Sequence, residues 1–372
     1  MNIGIITQPL HGNYGGILQA YALTTVLNRM GHNAEIIERE HYNTRLVHTT
    51  RVALSTLFRN IINRQKNNLF PDFKKAHDLP IMCKYTYEFI HKYLHLRMVK
   101  NCSDINENDY DCYIVGSDQV WRPMYNGGKL MDSYLKFAHD WNVIRLSYAA
   151  SFGTDDWEYS EEEEQVCRKL IKDFKAISVR EESGLKLCKE HFGVEAKHVL
   201  DPTMLLEAED YISLIHKKEE LPSKMLVTYI LNENSEKKKN IARIAKQLNL
   251  KVVRANSHYE DKSYPVTERI QPPIDSWLHK FSQADFIITD SFHACVISIL
   301  FKKQFIAISN VDRGQARLFS LLKMFGIENH LITDFLNFGI SNIRDIDYEK
   351  VYGILAVLKK DSYSFLLNAL LK

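Results

Sequence analysis

The opening segment of the chain restricts its fold more than any other. An apolar run, Ile3–Thr7, leads into a glycine-bearing loop, His11–Gly16, and then into Ile17–Met30, where apolar residues recur at helical spacing. Gly31 supplies a stop for that helix, and Ala34–Glu38 reads as a second strand. Strand, helix and strand in so short a span make a βαβ unit, which commits the chain to a parallel sheet with a right-handed crossover.

The same alternation returns twice. Cys112–Val115, Leu146–Ala150, Ala176–Val179 and His198–Leu200 read as strands, with helix-like stretches at Glu161–Phe174 and Glu182–His191. Beyond a charged segment, Glu207–Ser223, that contains Pro222, the strand-like runs are Met225–Leu231, Val252–Arg254, Phe286–Thr289 and Phe305–Ile308. Helical patterns at Glu236–Leu248, Ile274–Phe281 and Phe292–Lys302 separate them, and Tyr348–Leu371 closes the chain with one or two helices. A chain of 372 residues is longer than a single core usually supports. The expected fold class is therefore α/β, with two Rossmann-like domains facing across a cleft. The first spans residues 1–206, the second 207–345, and the closing helices 346–372. Residues 41–105, rich in Arg, Lys, His and aromatics, carry helical periodicity at Leu54–Ile62 and Tyr85–Leu96 and are expected to be a helical insertion in the first domain.

Charge and cysteines narrow the function classes. Forty-eight basic residues against 46 acidic ones leave a net charge of +2, too balanced for a broad phosphate-neutralising surface, so no nucleic-acid partner is expected. Six cysteines are scattered without a CxxC pair, as suits a reducing compartment, and no metal-ligand set is apparent. The N-terminus lacks the pattern of a signal peptide, and no apolar run approaches the ~20 residues of a spanning helix. A cytoplasmic enzyme or binding protein acting on a small molecule or sugar is the expectation.

Four strand-to-helix junctions carry candidate chemistry. In Gly12-Asn13-Tyr14-Gly15-Gly16 the glycines either let a ligand approach the helix N-terminus or merely form a tight turn; the pattern is not GxGxxG, so no dinucleotide is implied. In Gly116-Ser117-Asp118-Gln119-Val120-Trp121, Asp118 suits a base on a sugar hydroxyl, Gln119 an orienting amide and Trp121 a stacking platform. The competing reading makes Asp118 a cap and Trp121 core. Arg180, in Ser178-Val179-Arg180-Glu181-Glu182, either forks onto a carboxylate or phosphate or pairs with Glu181, Glu182 or Asp201. In Asp290-Ser291-Phe292-His293, His293 suits a proton donor or acceptor, against a capping Asp290 or Ser291 with a structural histidine. Ser291 lacks the GxSxG glycines of a nucleophile elbow.

Taken in order, NYGGILQAYAL, YDCYIVGSDQVW, SYAASFG, ISVRE, DPTMLL and ITDSFHACVISIL resemble the polysaccharide pyruvyl transferase family, and RGQARLFSLLKMFGI (residues 313–327) is similar to its late arginine-bearing helix. The resemblance spans about residues 2–330, leaving 41–105 outside it. It implies a GT-B-like arrangement with phosphoenolpyruvate as donor, no further cofactor, and a glycan or lipid-linked oligosaccharide as acceptor, with peripheral membrane association at the inner face left open. Carried onto this sequence, it makes Arg180 the binder of the donor's carboxylate or phosphate and His293 the general acid, with Gly15 and Gly16 letting the loop close over the site and Asn13, Asp290 and Ser291 among the substrate-binding residues. Many members have arginine where Ser291 stands here, and Arg313 or Arg317 is the candidate replacement. A nucleotide-sugar glycosyltransferase on the same architecture and a non-catalytic glycan-binding protein are the alternatives.

Overall fold

The structure is a computed structural model that describes residues 1–39, 71–310 and 315–371. The periodicity at Leu54–Ile62 and the candidate Arg313 lie outside the described residues.

The first domain opens with β1 (Asn2–Ile6), α1 (Tyr14–Arg29) and β2 (Asn33–Arg39). Two helices, α2 (Pro71–Met82) and α3 (Lys84–Tyr93), precede β3 (Leu96–Val99), β4 (Cys112–Val115) and β5 (Ile144–Ser147). These five strands form one wholly parallel sheet in the order β3-β2-β1-β4-β5. The helical reading of 41–105 is thereby corrected at its end. Leu96–Val99 is the edge strand of the first sheet, its Arg97 and Met98 out at the rim where a strand needs no apolar alternation. After α4 (Glu161–Leu170) come β6 (Ser178–Val179), α5 (Glu182–Leu187) and β7 (Lys197–His198). The β6–β7 pair continues the sheet through parallel bridges between Leu146 and Ala176 and between Ala150 and Val179.

A short helix, α6 (Ala208–Ile212), leads to the second sheet: β8 (Met225–Tyr229), α7 (Ser235–Leu248), β9 (Lys251–Arg254), α8 (Ile274–Gln283), β10 (Phe286–Thr289), α9 (Phe292–Leu300), β11 (Gln304–Ile308), α10 (Gln315–Met324) and β12 (Leu331–Ile332). Its strands are again all parallel, in the order β12-β11-β10-β8-β9.

Strand periodicity assigns each face. Ile3, Ile5, Cys112 and Ile114 point to one side of the first sheet, whereas Ile6, Tyr113 and Val115 point to the other. In the second sheet Val227 and Ile287 face inward and Leu226 and Ile288 outward. The inward faces of both sheets, α1, α8 and α9 share one continuous apolar core, which docks the domains on each other. The last helix, α11 (Tyr348–Leu370), ties them further. Tyr352 donates to the Leu300 carbonyl at 2.6 Å in the second domain, while Ser362 accepts from the Leu200 amide at 3.0 Å in the first.

Each sheet reverses strand order at one point, between β1 and β4 in the first and between β8 and β10 in the second. Open α/β sheets present ligand sites beyond the carboxyl ends of the strands at such reversals. The loops leaving β1, β4, β8 and β10 face one another across the space between the domains.

Candidate active site

Those loops line a cleft of about 860 Å³. The first domain contributes Asn13, Asp118 and Gln119, and the second contributes Ser291, His293 and Arg317. Behind its floor lies a buried cluster of charge. The Arg180 guanidinium, only 2% exposed, donates to the Asp201 Oδ2 at 2.8 Å and reaches the Asp118 Oδ1 at 3.4 Å. It also approaches the His293 Nε2 at 3.3 Å and sits 4.4 Å from the centre of the Phe292 ring.

Local folding puts these groups together. Arg180 follows β6, and Asp201 begins the turn Asp201-Pro202-Thr203, where its Oδ1 accepts from the Thr203 amide at 3.0 Å. Its Oδ2 remains for Arg180, for the Ser117 hydroxyl at 3.2 Å, and for the His293 Nε2 at 3.5 Å. Asp118 stands in the left-handed region at φ 68, a conformation that Asp tolerates better than most side chains and that marks functional sites. Its carboxylate also accepts from the Asn13 Nδ2 at 3.3 Å. Asn13 occupies the N-cap of α1, yet its amide reaches Asp118 and makes no cap. From α1, Gln19 accepts the Ser117 amide at 3.0 Å and fixes the loop after β4.

The electrostatics follow from burial beside opposite charge. Burial raises the Asp201 carboxyl, but His293 and Arg180 more than offset it and hold it far below the usual range. Asp118 likewise is raised by burial and brought below its ordinary value by Arg180, His293 and Arg317. Both carboxylates are ionised at neutral pH. Burial, then the neighbouring Arg180 charge, pushes the Arg317 guanidinium down to about 10. A cation so placed gains most from an incoming anion, and the N-terminus of α9, at Ser291, Phe292 and His293, opens on the same cleft. The His293 Nε2 lies between a donor, Arg180, and an acceptor, Asp201, so it has a partner whether or not it carries a proton. Among the described residues no three His, Cys, Asp or Glu side chains converge to hold a metal ion.

Not every sequence candidate faces the cleft. Arg180 lies behind it, both terminal nitrogens engaged, so it positions Asp118 and His293; the ion pair with Asp201 is the reading that the geometry favours. Trp121 is fully buried, its Nε1 donating to the Ser133 carbonyl at 3.0 Å and its ring stacked on Tyr134 at 5.4 Å, so it is core and no sugar platform. Asp290 lines the cleft, but its carboxylate is engaged: it accepts the amides of Leu231 at 2.7 Å and Asn232 at 3.1 Å and braces the loop after β8. Gly15 and Gly16 are packed against side chains, Gly15 beneath the His293 ring and Gly16 beside Asn13 and Asp118, and neither meets the cleft. Ser291 stands at the α9 N-cap without a side-chain cap bond and lines the cleft. The sequence offers Asp201 only as a possible partner of Arg180, since no local pattern marks a carboxylate that pairs across the fold.

Two Rossmann-like domains enclosing a cation- and carboxylate-lined cleft give the chain a two-domain α/β, GT-B-like architecture. A sequence model of the family described as polysaccharide pyruvyl transferase matches residues 13–313, and the chain belongs to that family. No curated protein matches the sequence. Among solved structures, MnaA of S. aureus with UDP is 12% identical, with 98% of this chain and 90% of that one covered and a TM-score of 0.49. UDP-GlcNAc 2-epimerase from Neisseria meningitidis bound to UDP-GlcNAc is 12% identical, covering 99% and 100%, at 0.45. MurG of Acinetobacter baumannii is 9% identical, covering 96% and 94%, at 0.44.

Proposed function

We propose that the chain moves the pyruvyl group of phosphoenolpyruvate onto two hydroxyls of one sugar in a glycan or lipid-linked precursor, at the cytoplasmic face of the membrane, forming a cyclic ketal. The observation that carries this reading is the convergence of Asp118 from one domain and His293 from the other on a single buried guanidinium at the cleft floor.

The donor is a small, highly charged anion, and Arg317 with the α9 N-terminus supplies fixed positive charge for it. His293 gives a proton to the methylene carbon, leaving an oxygen-stabilised cation at its neighbour. The first sugar hydroxyl attacks that carbon and passes its proton to Asp118. Phosphate then leaves with the C–O electron pair, the second hydroxyl closes the ring, and its proton leaves with the phosphate. One donor and one diol thus give one ketal and one hydrogen phosphate, and both groups are restored as Asp118 releases its proton to solvent and His293 takes one up. Asp118, ionised by Arg180, is a weak but always available acceptor, suited to a proton that becomes acidic only as the C–O bond forms.

Two measurements test this. Phosphoenolpyruvate is expected to raise the melting temperature while UDP- and GDP-sugars do not, and phosphate release is expected to require both donor and glycan acceptor. Protection by the nucleotide sugars alone would remove the proposal in favour of glycosyl transfer.

A further inference from the structure

The cleft is far larger than a three-carbon phosphate requires. Its volume, about 860 Å³, lies toward the upper end of the roughly 300–1,000 Å³ of small-molecule pockets. The catalytic cluster occupies one end. At the other, most of the wall belongs to the second domain, to the loop after β8 and the long segment that follows β9, with His11 and Gly12 of the first domain against Tyr259.

That wall differs in character from the catalytic end. Three carboxylates, Glu233, Glu260 and Asp261, outnumber its two cations, Lys238 and Arg254. Both cations are already committed. Lys238 and Arg254 each lie 3.3 Å from the Glu233 carboxylate, and Arg254 also donates to the Ser257 carbonyl at 3.2 Å. A phosphate placed here would meet an excess of negative charge and displace existing ion pairs. Carboxylates and amides instead accept from and donate to hydroxyls.

The wall also carries an aromatic ledge. His258 and Tyr264 stack nearly parallel, centroids 3.7 Å apart and planes 6° from each other, half-buried along the cleft. The Arg254 guanidinium braces the imidazole at 3.2 Å. Flat, pre-stacked rings beside hydroxyl-accepting carboxylates suit the apolar face and polar rim of a pyranose. The segment is anchored to the catalytic end as well. Gln271 donates to the Gly12 carbonyl at 2.8 Å, and Tyr259 packs where a side chain on Gly12 would stand.

We infer that the His258–Tyr264 ledge, with Glu233, is the acceptor subsite and selects an uncharged sugar ring over a sugar phosphate or nucleotide. The inference rests on the pyruvyl-transfer reading for the identity of the second substrate, while the charge argument stands apart from it.

The test uses the full chain with neutral methyl hexopyranosides and disaccharides, and with the matching hexose 1-phosphates, as probes followed by saturation-transfer NMR. Neutral glycosides are expected to bind in the wild type, and H258A/Y264A to weaken that binding at least tenfold while the melting shift given by phosphoenolpyruvate stays unchanged. In turnover, the same variant is expected to raise the acceptor KM with kcat little altered. Tighter binding of the 1-phosphates, failure of every neutral glycoside to bind, or an unaltered glycoside signal in H258A/Y264A overturns the subsite. Absence of donor-dependent phosphate release from a wild type that still binds glycosides through the ledge overturns the pyruvyl-transfer reading and leaves the subsite standing.

Discussion

Gly15 of the first domain and His293 of the second occupy complementary space. A β-carbon on Gly15 would overlap the imidazole and lie 2.8 Å from the His293 Cβ. The ring is therefore held at the cleft floor by a hole in the opposite domain. Gly15→Ala is expected to expel it from the cluster and lower kcat by on the order of 100-fold, the scale of a lost acid–base group. His293→Ala is expected to match it. Steady-state phosphate release checks both, and a Gly15→Ala enzyme of wild-type rate would show that the packing does not matter.

Arg180 neutralises two buried carboxylates at once, so its removal leaves Asp118 and Asp201 facing each other's charge. Breaking such a pair costs about 3–5 kcal/mol. Arg180→Ala is expected to lower the melting temperature by roughly 10 °C and to abolish turnover. Arg180→Lys keeps the charge but not the fork that spans both carboxylates, and is expected to regain part of the stability with little of the rate. Calorimetry alongside the phosphate assay separates these outcomes. A Lys variant with full activity would refute the bridging role.

The sheets were legible because parallel strands buried on both faces become dense Ile/Val runs, as in Phe286–Thr289 and Gln304–Ile308. Leu96–Val99 escaped because a rim strand with Arg97 and Met98 carries no such run, and the helical pattern that begins at Tyr85 ran into it. Asp118, Arg180 and His293 could be picked out singly, as polar residues at strand ends, but only the strand order brings them within one cluster. Trp121 misled for the opposite reason. In an irregular segment no period tells inside from outside, and an indole beside an aspartate looks the same in a core as in a sugar site.

Acid should loosen the cluster in a defined direction. Asp118 and Asp201 both titrate below their ordinary values in the folded chain. A carboxyl with a depressed folded value adds stability that is complete above its unfolded value, near 3.9, and is shed as pH falls below that. These two groups therefore leave the melting temperature flat from about pH 8 to 5 and steepen its decline below about pH 4. Asp201→Asn is expected to start less stable at neutral pH, because Arg180 loses half its pairing, and to decline less steeply in acid. Melting curves across this range check it, and equal acid slopes in wild type and variant would count against the assignment.

The buried indole gives the cleanest separation of packing from binding. Trp121 fills the core against Tyr134 and Phe152, and its Nε1–H satisfies the Ser133 carbonyl. Trp121→Phe removes part of the ring and leaves that carbonyl without its donor, a loss of roughly 2 kcal/mol from cavity and hydrogen bond together. The expected outcome is a melting temperature several degrees lower with acceptor KM within twofold of wild type. A sugar-stacking tryptophan would behave in the reverse way, raising KM with little change in stability, so one variant measured both ways decides between the two roles.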